Sequence, residues 1–469
     1  MKKKKAHFIG IAGMGMSATA LLLKEQGWLV SGSDSEAYPP ATNQLERRDI
    51  PFATSYDPKN IPRDANFIVI GKNAKLTREN NAEVQAAYDS GIRIASFPEL
   101  LGEIVEKREP IVVAGSYGKS TTTALIAWCL SHSKVDAGWF VGAAPEGMEP
   151  AHLGTHPVFV IEGDEYPTSH DDPHPKFSHY HAHDTLITAA THDHVNIYKT
   201  QKEFLKPFKE LATSLPTEGV LLLCADEPHA VSLAKNTKAR VVTYGLTSAA
   251  VWHASTISRG EMTTFELMRG KEKVATLTTS LIGDHNIQNI VGAAAMMLEK
   301  KLITPEQLSE TLKSFKGLAR RLDQKTTRSS VPAYEGFGSS REKLQAAIKA
   351  LKVTYPDKRL VVVFEPHTFS WRNKNMLPWF DTAFAGASLV ILYKPAEQGA
   401  STHEQSTQEE MAERLKNAGV SVIPAINPDE VMGALAKELR DGDVVLLSSS
   451  GPMDGLIEEI PKWLDNTYT

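Results

Sequence analysis

The chain has 469 residues, 42% of them hydrophobic and 23% charged, and a formal net charge of -5. This length suggests about three domains, and the composition is that of a globular protein. The slightly acidic balance excludes a global basic field for nucleic acid. No apolar run reaches the length of a membrane span, and no small-residue cleavage site follows the basic start Met1-Lys2-Lys3-Lys4-Lys5. The expectation is a cytoplasmic protein with neither a nucleic-acid nor a membrane partner. The two cysteines, Cys129 and Cys224, make no disulfide framework and no metal-type spacing, and Cys129 reads as a buried thiol on an apolar helix.

Strands and helices alternate, which predicts an α/β protein with mostly parallel sheets covered on both faces. A first segment, residues 1–106, opens with an apolar strand from Ala6 to Ile11, glycines at Gly10, Gly13 and Gly15, and a helix through Ser17 to Leu23. A second strand, Trp28-Leu29-Val30, ends near Ser33-Asp34. Glycines between a strand and a helix, with an acid about 20 residues on, are the pattern of a dinucleotide or pyrophosphate site. The spacing is Gly-x-x-Gly-x-Gly rather than Gly-x-Gly-x-x-Gly, so a UDP or other pyrophosphate group suits it better than a nicotinamide cofactor.

A second segment, residues 107–322, opens with the strand Ile111-Val112-Val113-Ala114, the turn Gly115-Ser116-Tyr117-Gly118-Lys119-Ser120-Thr121 and a helix to about Leu130. Free backbone N–H groups at such a helix start, together with a lysine, form a triphosphate cradle, and a following hydroxyl at Ser120 or Thr121 suits Mg²⁺. The position five residues before Gly118 is Val113, so the Walker spacing is only partly met. The strand Val158-Phe159-Val160-Ile161 ends in Glu162-Gly163-Asp164-Glu165. Asp164 and Glu165 are the carboxylates expected beside a magnesium ion. Residues 240–281 alternate polar and apolar and predict antiparallel hairpins beside the main sheet. Seven of the sixteen histidines lie between His170 and His194. His179, His181 and His183 would share one face of an extended strand; a transition-metal site is conceivable there, but a solvated loop accounts for them more simply. The third segment, residues 323–469, carries three buried-type strands, Leu360–Phe364, Leu389–Leu392 and Val444–Leu447.

Taken together, Gly115-x-x-Gly118-Lys119-Ser120-Thr121, Asp164-Glu165, Asp193-His194, Gly283-x-His285-Asn286-x-x-Asn289 and Arg320-Arg321 resemble the Mur ligase family over nearly the whole chain. The resemblance implies a Rossmann-like UDP-sugar domain, a P-loop ATPase-like central domain and a Rossmann-like C-terminal domain receiving the amine. It implies an ATP- and Mg²⁺-dependent ligase that activates UDP-N-acetylmuramate as an acyl phosphate. Carried over residue by residue, it places Lys119, Glu165 and His194 in catalysis. Gly115, Ser116, Gly118, Lys119, Ser120, Thr121, His285, Asn286 and Arg321 fall to ATP. Gly13, Gly15, Ser17 and Asp34 fall to the UDP-sugar, and Ser120, Glu165 and His194 to the metal. Asn289 on its own reads as a packing or capping residue.

Within the family, Gly32-Ser33-Asp34 with Tyr38-Pro39-Pro40, and Asp164-Glu165-Tyr166 with Lys176-Phe177-x-His179-Tyr180, resemble the branch that joins UDP-N-acetylmuramate to a murein peptide (L-alanyl-γ-D-glutamyl-meso-diaminopimelate or a relative) in peptidoglycan recycling. The glycine turn from Gly10 to Ser17 is closer to the alanine-adding branch, and both readings stay open. The chain also departs from the family. Ser116-Tyr117 stands where Thr-His is usual. Ala189-Ala190-Thr191-His192-Asp193-His194 replaces Asn-Ile-Glu-x-Asp-His. Gly336-Phe337-Gly338-Ser339-Ser340-Arg341 replaces Asp-Tyr/Phe-Gly-His-His-Pro, and Thr368 and Trp371 replace arginines. These changes leave a third alternative, a catalytically degenerate nucleotide- or UDP-sugar-binding regulator.

Overall fold

The computed structural model describes residues 3–469 except 74, 144, 195–196, 261, 319 and 396–403. It holds three sheets. The first takes β1 (Lys5–Ile9), β2 (Leu29–Ser33), β3 (Phe52–Ala53), β4 (Phe67–Ile70) and β5 (Arg93–Ala95), in the order β3-β2-β1-β4-β5. All four pairings are parallel. The order reverses at β1, the place where an open α/β sheet leaves a crevice beyond its strand ends.

The second sheet has ten strands. They are β6 (Glu109–Ala114), β7 (Gly138–Phe140), β8 (Ala151–His152), β9 (Val158–Gly163), β10 (Asp184–Ile187), β11 (Val220–Cys224), β12 (Arg240–Gly245), β13 (Trp252–Ser258), β14 (Thr263–Arg269) and β15 (Glu272–Thr279). Their order is β15-β14-β13-β12-β11-β10-β6-β9-β7-β8. Central β6 lies between β10 and β9, both parallel to it. Residues Ile111 to Ala114 are wholly buried, as expected of a strand covered on both faces.

Residues 240–281 continue this sheet, and β13, β14 and β15 are successive neighbours joined by short turns. The first of these strands, β12, pairs parallel with both β11 and β13. The two-residue link Gly270-Lys271 can join only antiparallel strands, so the expected hairpin is present at β14–β15, and the departure is β12, a parallel strand of the main sheet. In the histidine stretch the loop reading holds and the strand-face alternative does not. Lys176–Tyr180 is a 3₁₀ turn and His181 has φ 47°, so His179, His181 and His183 do not share a strand face. A strand begins only at Asp184. His179 instead bonds Asp172 at 2.9 Å and His183 bonds Asp184 at 3.0 Å.

The third sheet contains β16 (Arg321–Gln324), β17 (Ala333–Phe337), β18 (Leu360–Phe364), β19 (Leu389–Tyr393), β20 (Val422–Ala425) and β21 (Val444–Ser449), in the order β16-β17-β21-β18-β19-β20. Leu360, Val362 and Phe364 enter one apolar core, whereas Val361 and Val363 enter another. Alternate side chains point to opposite faces, so the continuous apolar run follows from two covered faces.

The chain forms two compact units. One comprises Met1–Ile257, Thr264–Thr278 and His285–Phe315, and carries the first two sheets; the other comprises Ser258–Thr263, Thr279–Asp284 and Lys316–Thr469. Among the described residues no helix is long and apolar enough to cross a membrane. Cys129 and Cys224 are buried free thiols, and burial pushes the Cys129 thiol up to about 12.

Candidate active site

The site is built where β6, β9 and β10 end. After β6 the chain turns through Gly115 (φ 140°) and Gly118 (φ 82°) into the helix Lys119–His132. Left-handed backbone favours glycine, and close neighbours leave no room for more. A β-carbon on Gly115 would lie 2.3 Å from Thr188 Oγ1. Gly118 caps the helix without a side-chain hydrogen bond, so backbone donors at this end remain for an anion.

Lys119, Glu165 and His194 come together as expected. Glu165 is fully buried; its carboxylate lies 3.0 Å from Lys119 Nζ and 2.8 Å from His194 Nε2. Lys119 also donates to the Gly115 carbonyl. Burial acts to lower the pKa of this ammonium, but the carboxylates of Glu165, Asp164 and Glu162 outweigh it and hold the pKa above its usual range. His194 sits in left-handed backbone, φ 55°, with its ring 4.2 Å from that of Tyr166. A non-glycine residue held there is strained and has to be fixed by its surroundings.

Asp164 does not face the phosphate loop as its neighbour does. It accepts from Lys176 Nζ at 2.6 Å and from the Tyr166 N–H at 3.0 Å. Burial tends to raise its pKa, but Lys176 and Lys119 hold it below the usual range. The carboxylate that meets the loop hydroxyl is Glu162, which the sequence reading had left inside the strand end. Ser120 Oγ donates to Glu162 Oε1 at 2.6 Å, and the Gly142 N–H donates to Oε2 at 2.7 Å. Glu162 is opposite Val113 in the β6–β9 ladder, two positions before Gly115 opens the phosphate turn, a placement that no local sequence pattern marks. Between it and Asp164, Gly163 packs so closely that a β-carbon would come 2.6 Å from Val112 Cγ1.

The hard oxygens of Ser120, Glu162 and Glu165 fit a magnesium ion, which takes one or two carboxylates and leaves its other positions to phosphate and water. Among the described residues no group of three His, Cys, Asp or Glu forms a closed cage, which the histidine cluster would need for a transition metal.

Ser116 and Thr121 lie in the same loop, both buried. The helix Asp284–Glu299 brings its first turns to the loop: Asn286 and Asn289 are buried, His285 is exposed, and a β-carbon on Gly118 would lie 2.5 Å from Asn289 Oδ1. Asn289 therefore packs directly on the phosphate turn.

In the first sheet, Gly13 caps the helix Met14–Glu25 without a side-chain bond and is exposed, and Gly15 is half-buried. Asp34 accepts from the Ala12 N–H at 3.0 Å and from Tyr56 Oη at 3.3 Å, which holds the glycine turn against the end of β2. Ser17 is different. It is fully buried, with its hydroxyl on the Met14 carbonyl at 3.2 Å and near Gln44 at 3.5 Å, so it faces the protein.

The second unit carries Arg320 and Arg321. Arg320 bonds Glu335 at 2.7 Å and the Gly451 carbonyl at 2.8 Å, whereas Arg321 is exposed on β16. In the altered Gly336–Arg341 turn, Ser340 caps the helix Arg341–Thr354. Two replacements brace that turn: Trp371 Nε1 donates to the Gly338 carbonyl at 2.7 Å, and Thr368 Oγ1 to the Ser339 carbonyl at 3.2 Å.

Known proteins are similar to this chain. Residues 5–109 match the Mur ligase family catalytic domain and residues 113–297 the Mur ligase middle domain. The UDP-N-acetylmuramate–L-alanine ligase of Clostridium kluyveri is 30% identical over 456 residues, 96% of each chain. The chain belongs to the Mur ligase family. Its members are ATP-dependent amide-bond ligases. The L-alanine ligase of Salinibacter ruber is 27% identical over 466 residues, covering 99% of this chain and 95% of its own. The Thermotoga maritima UDP-N-acetylmuramate–alanine ligase shares the fold with a TM-score of 0.79 at 20% identity, covering 99% of both chains. The UDP-N-acetylmuramate:L-alanyl-γ-D-glutamyl-meso-diaminopimelate ligase of Neisseria is 26% identical, with a TM-score of 0.62, covering 68% of this chain and 100% of its own.

Proposed function

We propose that this Mur ligase joins UDP-N-acetylmuramate to a murein peptide at the expense of ATP. The observation that carries the choice of acceptor is the 2.6 Å bond between Lys176 and Asp164. It fastens the stretch with the murein-peptide-ligase pattern to the strand end that also supplies Glu165. The Neisseria relative is named for that reaction.

In this reading residues 1–106 hold the UDP-sugar, through the turn at Gly13 and Gly15 and through Asp34. Residues 107–322 hold ATP. The backbone from Gly115 to Thr121 and the Lys119 ammonium take the triphosphate, and His285 and Asn286 flank the base. Ser120, Glu162 and Glu165 would hold magnesium, which would supply positive charge to offset that of the transferring phosphoryl group. Residues 323–469 receive the amine, and Arg321 falls to the nucleotide. A muramate carboxylate oxygen attacks the γ-phosphorus, the bond to the ADP oxygen breaks, and an acyl phosphate forms. The peptide amine then attacks the acyl carbon, loses a proton, and inorganic phosphate leaves. Lys119 lowers both barriers by standing where phosphoryl charge develops. His194 orients the Glu165 carboxylate.

The names of the relatives at 27% and 30% identity favour a second reading, addition of free L-alanine. ADP release in the presence of UDP-N-acetylmuramate decides between the two. The proposal expects release driven by the tripeptide or tetrapeptide more than by dipeptide or alanine. Release driven by alanine alone would replace it with the second reading.

A further inference from the structure

Two positions at which this chain departs from the family pattern meet at one carboxylate. Tyr117 stands where the phosphate loop usually has histidine, and Thr191 stands where glutamate is usual. Tyr117 Oη donates to Glu227 Oε1, and Thr191 Oγ1 donates to Glu227 Oε2 at 3.1 Å. Both oxygens of Glu227 are thus engaged, one by the phosphate loop and one by the segment leading to His194. The same two segments are stitched directly: Ser116 Oγ donates to the Thr191 carbonyl at 2.5 Å, and Thr188 Oγ1 donates to the Tyr117 carbonyl. Burial, and then the facing Glu227, push the Tyr117 phenol well above its usual pKa, so it remains a donor.

The adjoining residue makes the other half of the connection. Asp226 Oδ2 accepts from Gln288 Nε2 at 2.8 Å and from the Leu246 N–H at 2.7 Å. Gln288 lies in the first turns of the helix Asp284–Glu299, just after His285 and Asn286. The backbone of β12 closes from the other side, since a β-carbon on Gly245 would come 2.7 Å from Asp226 Oδ2. Neighbouring carboxylates at the end of β11 therefore reach in two directions, to the phosphate turn and to the base-side helix.

We infer that Asp226 and Glu227 are positioning residues for the nucleotide, a strut that fixes the phosphate loop relative to the helix start carrying His285 and Asn286, with Tyr117 and Thr191 as its loop-side contacts. The inference rests on the reading of that loop as the ATP site. Neither carboxylate touches the reacting atoms. Their effect is to hold two halves of one site at the separation a nucleoside triphosphate requires, so their loss weakens nucleotide binding and spares the sugar site.

The test uses the full-length enzyme and the variants Glu227→Ala, Tyr117→Phe, the two combined, and Gln288→Leu. Binding of a non-hydrolysable ATP analogue is followed by calorimetry, alongside KM for ATP, KM for UDP-N-acetylmuramate and the thermal midpoint. Each single change is expected to raise the analogue Kd and the ATP KM about tenfold, the scale of one hydrogen bond to a charged group. KM for the sugar nucleotide should stay within about twofold. The Glu227→Ala, Tyr117→Phe pair should be no worse than the stronger single change, because both remove one interaction. Restoring an acceptor with Glu227→Gln should recover part of the affinity. Unchanged ATP affinity in Glu227→Ala overturns the strut, as does a combined effect equal to the product of the singles. An equal loss of both substrates with a lowered thermal midpoint also overturns it, because it would mark a purely structural role. Wild-type enzyme that bound no nucleotide would instead remove the underlying assignment of the loop.

Discussion

Ser120 Oγ lies 2.6 Å from Glu162 Oε1, so the residue after the loop lysine is joined to the strand beside it. This pair presents a hydroxyl and a carboxylate to one point, and Glu162 is steadied from behind by the Gly142 N–H at 2.7 Å. Glu162→Gln keeps the shape and an acceptor but removes the charge. The Mg²⁺ concentration for half-maximal rate should rise about tenfold, on the scale of one charge-assisted contact, with turnover partly restored at high Mg²⁺. UDP-sugar affinity should not change. An initial-rate titration with Mg²⁺ reads this directly, and a curve identical to wild type would count against Glu162 as a ligand.

Lys119 and Glu165 are a buried pair, with side chains 13% and 0% exposed. Removing one partner of such a pair leaves an uncompensated charge and costs about 3–5 kcal/mol. Lys119→Ala should therefore lower the thermal midpoint as well as abolish ligation. The two effects separate in Lys119→Met with Glu165→Gln, where no charge is left stranded. That double variant should regain most of the stability and bind the UDP-sugar, yet show no turnover. Recovered ligation in it would refute the role given to the lysine.

How much of this was legible in the sequence differs by residue. Lys119, Glu165 and His194 could be named because motif order carries their identities, and the structure brings Lys119 and His194 to the Glu165 carboxylate. Leu360–Phe364 was readable as a strand because both of its faces are buried. Glu162 was missed because a charged residue inside an apolar strand looks like a strand end, and only the ladder with β6 shows it beside the phosphate turn. Glu227 carries no local pattern at all; it matters through contacts 110 and 36 residues away. Ser17 was assigned to ligand by its place after the glycines, but helix geometry turns it inward. The short strands β16, β17 and β20 lack an uninterrupted apolar run, so composition did not reveal them.

Within the first unit, Glu25 at the end of the helix Met14–Glu25 meets His152 on β8. Its Oε2 is 3.3 Å from His152 Nδ1 and also accepts the Leu153 N–H at 2.7 Å, whereas His152 Nε2 is 2.9 Å from Asp136. Hydrogen bonding to Glu25 outweighs burial and, with Asp136, raises the His152 pKa above 6.5. Burial opposes ionisation of Glu25, but His152, Leu153 and Arg48 hold it below 4.5. The signs follow by linkage. The histidine's contribution is complete below about pH 6.5, its unfolded value, and is lost as pH rises through the higher folded value. The glutamate's is present above its unfolded value and fades as pH falls through the lower folded one. The contact is part-exposed, so solvent screening limits it to less than about 1 kcal/mol. Wild type should exceed His152→Gln in thermal midpoint at pH 6 and lose most of that excess by pH 9. An excess that was flat or grew with pH would contradict the raised histidine.

Gly118 is asked for two things at once. Its φ of 82° is left-handed, and a β-carbon there would sit 2.5 Å from Asn289 Oδ1. The conformation alone costs a non-glycine residue about 1–2 kcal/mol, and the contact forces either the turn or the base-side helix to shift. Gly118→Ala should therefore raise the ATP KM by at least about tenfold, since 1.4 kcal/mol corresponds to that factor, and leave the UDP-sugar site alone. Shortening the neighbour separates the two causes. Asn289→Ala removes the collision but not the backbone demand, so the double variant should recover only part of the lost nucleotide affinity. Full recovery would mean the left-handed turn is not required for gripping the triphosphate. No recovery would mean that Asn289 does not crowd the loop and that the backbone conformation alone sets the geometry of the site.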